Sequence, residues 1–265
     1  MGLIITLLVF TAIIFVHELG HFLVMRRCGV IIEEFSIGFG PRFAGFVDRR
    51  GTVWSLRLIP LGGYVKPRAD GEGSLGPLPP GKRFLCFMAG MFMNAIAAFV
   101  TLLIMGYVFH RVPLVIWDYL KPLGLPTPLM PAATAFAGSF GLWFATPPLV
   151  VYQAVVNGLG LFTNSAGPIG IVQMGMQMGA APTVGQAVMG YAFFFALMNT
   201  AVAGFNLLPI YPLDGGHSLE CICEKLLGKA RTDRLRPAFR LVGAAIMILL
   251  VIGVFASDII KLIPH

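Results

Sequence analysis

The chain has 265 residues, 57% of them apolar and only 12% charged, with a formal net charge of +7. A soluble domain carries roughly a quarter charged residues, so this composition belongs in a bilayer. From Pro122 to Leu213, 92 consecutive residues include no Asp, Glu, Lys, Arg or His, which excludes a soluble domain and, because disordered segments are poor in apolar residues, a disordered one.

The first predicted span covers 3–25 and is apolar except for Thr6, Thr11 and the group at 17–21. It has no basic n-region and no small-residue cleavage site, so it reads as a retained span rather than a signal peptide. After it the helical pattern stops. Phe35, Ile37 and Phe39 alternate with Ser36, Gly38 and Gly40, and beyond a turn at Asp48-Arg49-Arg50-Gly51 the residues Thr52, Trp54, Leu56 and Leu58 alternate with Val53, Ser55 and Arg57. A period of two predicts a β-hairpin over 31–66, attached to the membrane. Residues 69–81 are a Gly/Pro-rich linker.

Further spans are predicted at 84–109, 184–207 and 238–260, each long enough to cross ~30 Å of hydrocarbon. The apolar piece 132–163 is broken by Pro147-Pro148 into halves of about 15 residues, too short for a crossing. It is expected to be an interfacial or re-entrant segment on the outer side. The expected fold is therefore membrane all-α, with about four transmembrane helices, a hairpin between the first and second, and an interfacial segment before the third. The whole of 1–265 is expected to be one polytopic domain.

Basic residues give the orientation. Segment 26–83 carries ten Lys/Arg and segment 208–240 carries six, while 110–183 carries only Arg111 and Lys121. The positive-inside rule puts the first two segments in the cytoplasm and both termini outside. The positive charge thus reports topology, and no nucleic-acid partner is expected. Cys28, Cys86, Cys221 and Cys223 show neither disulfide-framework density nor CxxC spacing, so four free thiols are expected.

The chemistry sits inside the first span, where His17-Glu18-Leu19-Gly20-His21 is HExxH. Histidines at i and i+4 project from one helical face and can share a tetrahedral zinc ion, while Glu18 lies about 100° around, placed to take a proton from a water at the metal. The bland alternative is a polar cluster that only packs helices, but such a cluster is expensive in lipid. Zinc needs a third protein ligand at the same depth. The histidines lie roughly 8–14 Å above the cytoplasmic boundary set by Arg26, and the third span runs inward to NLLPIYPLDGGH at 206–217. Asp214 and His217 are rival ligands there, and Asp214 could instead be an N-cap of the helix that follows. Pro209 and Pro212 should break the helix, and Gly215-Gly216 should let the backbone turn back toward the metal. Asn206 is either a functional amide donor or an interhelical hydrogen-bonding group.

HELGH in a first span with NLLPIYPLDGGH in a later one resembles the site-2 protease family of intramembrane zinc metalloproteases, closest to its bacterial regulator-of-sigma-E branch. The likeness extends to Arg26-Arg27-Cys28-Gly29-Val30, EEFSIGFGP (33–41), IPLGGYVK (59–66), Ala89-Gly90 with Asn94, and Gly167-Pro168-Ile169. It implies His17, His21 and Asp214 as ligands of one Zn2+ per chain and Glu18 as catalytic base. It also implies that Asn206 holds substrate and that 33–66 is a membrane-reentrant sheet pairing with the substrate backbone through Phe35, Ser36, Ile37, Gly38 and Phe39. Implied partners are single-span membrane proteins of the anti-sigma-factor or signal-peptide-remnant type. The implied setting is a bacterial inner membrane, with cleavage toward the cytoplasmic side. Two features depart from the pattern: the interval 110–183 is too short and uncharged for a PDZ domain, and a second asparagine found in such proteins is Ala201 here. The rival class is a metal-ion or proton transporter, whose inverted repeats and multiple intramembrane acids are not visible.

Overall fold

The structure, a computed structural model, describes residues 2–109 and 168–262. In chain order its elements are α1 (Gly2–Arg27), β1 (Ile32–Val47), β2 (Val53–Pro67), α2 (Pro80–Phe109), α3 (Pro168–Gly179), α4 (Val184–Asn206), α5 (Asp214–Leu227) and α6 (Lys229–Leu262). Four of these helices are long and apolar enough to cross a membrane: Gly2–Arg27, Pro80–Met105, Val184–Asn206 and Lys229–Ala256. They coincide with the four expected spans, and the molecule is a multi-pass membrane protein. The expected interfacial segment 132–163 lies outside the described residues.

Two helices begin earlier than the hydropathy alone indicated. α2 starts at Pro80, whose fixed φ and missing N–H suit the first helical position. α6 starts at Lys229, nine residues before the expected span, and passes through Pro237. Arg236 and Arg240, on either side of that proline, both reach Glu220 of α5 (3.1 and 3.3 Å) and hold the flanking turns in helix. α3 was not foreseen, because its 12 residues are too short to cross and rich in Gly and Met. Its Gly175 is required by packing: a Cβ there would lie 2.5 Å from Thr6 Cγ2 and 2.9 Å from the Phe194 ring. The buried carboxylate of Asp258 on α6 accepts from the N–H groups of Ile169 (2.9 Å) and Gly170 (3.4 Å), satisfying the N-terminus of α3.

The hairpin is two long antiparallel strands turned at Asp48, whose carboxylate accepts from the Arg50 and Thr52 N–H groups and from Arg26 at 2.7 Å. Its strands bend, so that residues 34–37 have partners on two segments of β2: Phe35 lies opposite both Val65 and Trp54, and Ile37 opposite both Gly63 and Leu56. Residues 34–37 are thus flanked on both sides and present no open edge there. The doubling is confined to 34–37 and ends at Gly38. Gly38 and Gly40 take φ of +84° and +82°, and Phe39 is paired with Ile59 alone.

Phe35 is fully buried, stacked on Trp54 at 4.5 Å and edge-on to Phe15 and Phe22. With Met25, Val30, Ile32 and Cys86 these residues form the core that joins the sheet to α1 and α2. The far end is the opposite: Phe43 and Phe46 are 72% and 64% exposed, an apolar surface suited to lipid rather than water. Inside the hairpin, Glu34 accepts from Ser55 Oγ (2.6 Å), Arg57 Nη2 (2.8 Å) and Tyr64 OH (2.9 Å). Burial alone would raise its pKa, but these donors outweigh it and bring the carboxyl down to about 2.

Candidate active site

α1 presents His17 and His21 one turn apart, with ring centroids 4.8 Å from each other. Their Nε2 atoms stand 3.2 Å apart, and Asp214 Oδ2 lies 3.0 Å from the first and 3.2 Å from the second. One ligand atom from each residue thus falls inside a common radius of 4.8 Å. Among the described residues this is the one group of three or more His, Cys, Asp or Glu side chains that could hold a metal ion.

Asp214 arrives through a tight turn. Leu208, Ile210 and Leu213 donate in succession to Phe205, Leu208 and Ile210 carbonyls, and α5 begins at Asp214 itself. Gly215 and Gly216 are therefore not the turn, as the sequence indicated, but the first turn of α5. Their role is close approach: a Cβ on Gly215 would sit 2.2 Å from the Leu208 carbonyl oxygen, and one on Gly216 2.6 Å from the Tyr211 nitrogen. α5 is then fixed to α2 by the half-buried Arg83–Glu224 ion pair and by His217 stacked on Phe87 at 4.9 Å. That stacking separates the two rivals, Asp214 and His217, in space. The His217 ring lies against Phe87 and Tyr211, and only Asp214 joins the histidines.

The pocket around the three ligand atoms is shaped for a metal. A Cβ on Gly90 of α2 would stand 2.4 Å from His21 Nε2 and 2.8 Å from His17 Nε2, so the glycine keeps open the side on which the ligand atoms converge. His21 Nδ1 meets the Cys86 carbonyl at 2.8 Å, which sets the tautomer leaving Nε2 free as a ligand. Two imidazole nitrogens and one carboxylate oxygen are a donor set zinc accepts in catalytic sites.

Glu18 projects toward the sheet, where its Oε2 accepts from the Val65 N–H at 3.0 Å. Asn206 ends α4 with its amide folded back on the Val202 carbonyl (3.0 Å). Ser36 is buried, accepts from Arg57 Nε at 2.9 Å and donates to the Gly38 carbonyl. Phe35, Ser36 and Ile37 belong to the sheet interior, whereas Phe39 is 47% exposed. Sequence reasoning did not single out the Val65 N–H or the Cys86 carbonyl, because backbone groups leave no mark in side-chain identity. Gly90 did leave one: a glycine inside an apolar helix is a standing loss of about 1 kcal/mol that calls for a packing reason. The four cysteines are free, as expected, and burial pushes the Cys221 thiol up to about 11, which keeps it protonated.

A family model described as peptidase family M50 matches residues 5–250. A "putative zinc metalloprotease" of Brucella suis is 54% identical over 72 residues, 27% of this chain and 19% of that protein. One of Bartonella henselae is 41% identical over 114 residues, 38% of this chain and 32% of its own length. The matched stretches thus span less than a third of either relative. One of Clostridium perfringens is 26% identical over 337 positions, covering 98% of this chain and 99% of the relative.

Proposed function

The chain belongs to peptidase family M50, and we propose that it is an intramembrane zinc metalloendopeptidase that cleaves transmembrane segments of other membrane proteins near the cytoplasmic side. The observation that carries this reading is the convergence of His17 Nε2, His21 Nε2 and Asp214 Oδ2 next to the carboxylate of Glu18. Zn2+ held by those three atoms would supply Lewis acidity, polarising a peptide carbonyl and making water acidic enough to attack it. Glu18 takes the proton of the attacking water and returns it to the leaving amine. Partial burial of the three side chains, with His21 the most enclosed, lowers the local dielectric and strengthens each of these charges.

A helical substrate must be unwound before its carbonyl is reachable. The strand segment Gly38–Phe39, free on one side, is the part of 35–39 that can pair with the extended guest, and Phe35, Ser36 and Ile37 hold it in place from inside the sheet. Asn206 holds substrate once its amide leaves Val202. Orientation follows from Lys and Arg, with 26–83 and 208–240 in the cytoplasm of a bacterial inner membrane. Single-span proteins are the substrate class.

The deciding experiment is cleavage-product mass spectrometry on a panel of single-span substrates with wild type and Glu18→Gln. Wild type should cut within the span and Glu18→Gln should not, with about one zinc per chain in both. Equal cleavage by the two would overturn the assignment of the base, and a wild type that holds no zinc would overturn the reading as a whole.

A further inference from the structure

Metal-bound histidines nearly always donate their second ring N–H to an acceptor that fixes tautomer and orientation. His21 has such a partner in the Cys86 carbonyl at 2.8 Å. His17 does not: its Nδ1 is buried and without a hydrogen-bond partner. A buried donor left unmet costs the full desolvation of that group, so a partner is owed to it.

α2 is the helix that lies against both rings. Cys86 meets His21, and Gly90, one turn further on, lies against both imidazoles. α1 and α2 cross closely here, since a Cβ on Gly20 would touch the Ala89 carbonyl oxygen at 2.4 Å and Met93 Cβ at 2.8 Å. The next turn of α2 along the same face carries Asn94. It is fully buried, and neither its Oδ1 nor its Nδ2 has a partner. A donor without an acceptor and an acceptor without a donor are thus buried in neighbouring layers of the same helix pair.

We propose that Asn94 is the positioning residue of His17, its Oδ1 accepting from His17 Nδ1–H directly or through one buried water. The amide would then do for His17 what the Cys86 carbonyl does for His21, and α2 would orient both histidines from successive turns. Asn94 needs no contact with substrate in this role. The inference rests on the reading of His17, His21 and Asp214 as a zinc site.

Zinc affinity, measured on the full-length detergent-solubilised protein by competition with a chromogenic chelator, tests it independently of proteolysis. Asn94→Leu, of similar volume with no polar atom, should weaken zinc by roughly 10- to 100-fold. Asn94→Asp, which keeps an acceptor, should stay within about threefold of wild type. Asn199→Leu is the control for generic loss of a buried amide, because Asn199 is equally buried but already donates to the Phe195 carbonyl at 2.8 Å, and it should leave affinity unchanged. Should Asn94→Leu fail to fold, Asn94→Ala takes its place with the same expectation. Cobalt absorption of the substituted site should change in Asn94→Leu and not in Asn199→Leu. An Asn94→Leu protein that binds zinc as tightly as wild type overturns the proposal, as does an equal loss in Asn94→Asp or Asn199→Leu. Failure of the wild type to bind zinc would instead sink the reading of the triad.

Discussion

The carboxylate of Glu18 is tied to the backbone of Val65, 47 residues away, by a hydrogen bond of 3.0 Å. The group assigned as base is thereby held from outside its own helix. Its Oε2 is committed to the sheet, so a shift of the end of β2 carries Glu18 with it.

That link makes a backbone group measurable. Val65→Pro removes the N–H and nothing else that Glu18 uses, whereas Val65→Ala keeps it. A hydrogen bond to a charged group contributes about 1.5–3 kcal/mol, so kcat should fall roughly 10- to 100-fold in Val65→Pro, with zinc content unchanged and Val65→Ala near wild type. Equal rates in the two variants would show that Glu18 does not depend on the amide.

Gly90→Ala gives the opposite pattern, loss of metal with a stronger helix. Alanine favours a helix interior over glycine by about 1 kcal/mol, yet its Cβ would stand 2.4 Å from His21 Nε2. Zinc content should collapse while helicity by circular dichroism holds or rises. Retention of stoichiometric zinc would mean that the ligand atoms converge elsewhere.

Glu34 makes a pH-dependent contribution whose sign follows from its depressed carboxyl. The folded value of about 2 lies below the ordinary 4.5, so the ionised group stabilises the hairpin fully above about pH 4.5 and loses that effect as pH falls toward 2. The gap in thermal midpoint between wild type and Glu34→Gln should be constant from pH 7 to 5 and narrow at lower pH. A gap that widens on acidification would contradict the hydrogen-bonded, ionised state.

The orientation is tested by cysteines placed at Arg49, Arg231 and Lys121 in a background without native cysteines. The first two should label from the cytoplasmic face and the third from outside, following the ten, six and two basic residues of their segments. Labelling of positions 49 and 231 from opposite faces would separate the two loops on which the common depth of His21 and Asp214 was argued.

HExxH and the four spans were legible because each rests on short-range periodicity, which a chain carries in its letters. Spacing alone left Asp214 and His217 as rivals, because both lie in one turn of α5 and the His217 ring is drawn aside in part by Phe87, 130 residues earlier on α2. The hairpin was read with its turn in the right place, since Asp48 and Gly51 mark it. That residues 34–37 are flanked twice was invisible: alternation reports which face a side chain takes, not how many neighbours a strand has. α3 escaped because nothing in PIGIVQMGMQMG distinguishes a short helix from the apolar residues around it.

The separation of the metal ligands has a temporal side. His21 and Asp214 meet across 193 residues, and among the described residues two membrane-spanning helices, α2 and α4, lie between them and are still to be made when His21 leaves the ribosome. A nascent chain bearing only α1 and α2 owns the base and two ligands, one short of the three that a catalytic zinc ion requires. Chains synthesise and fold from the N-terminus onward, so on the proposed reading the site is completed late in the protein's own insertion. On the proposed reading, a chain truncated anywhere before Asp214 carries at most two of the three ligands and should hold no catalytic zinc.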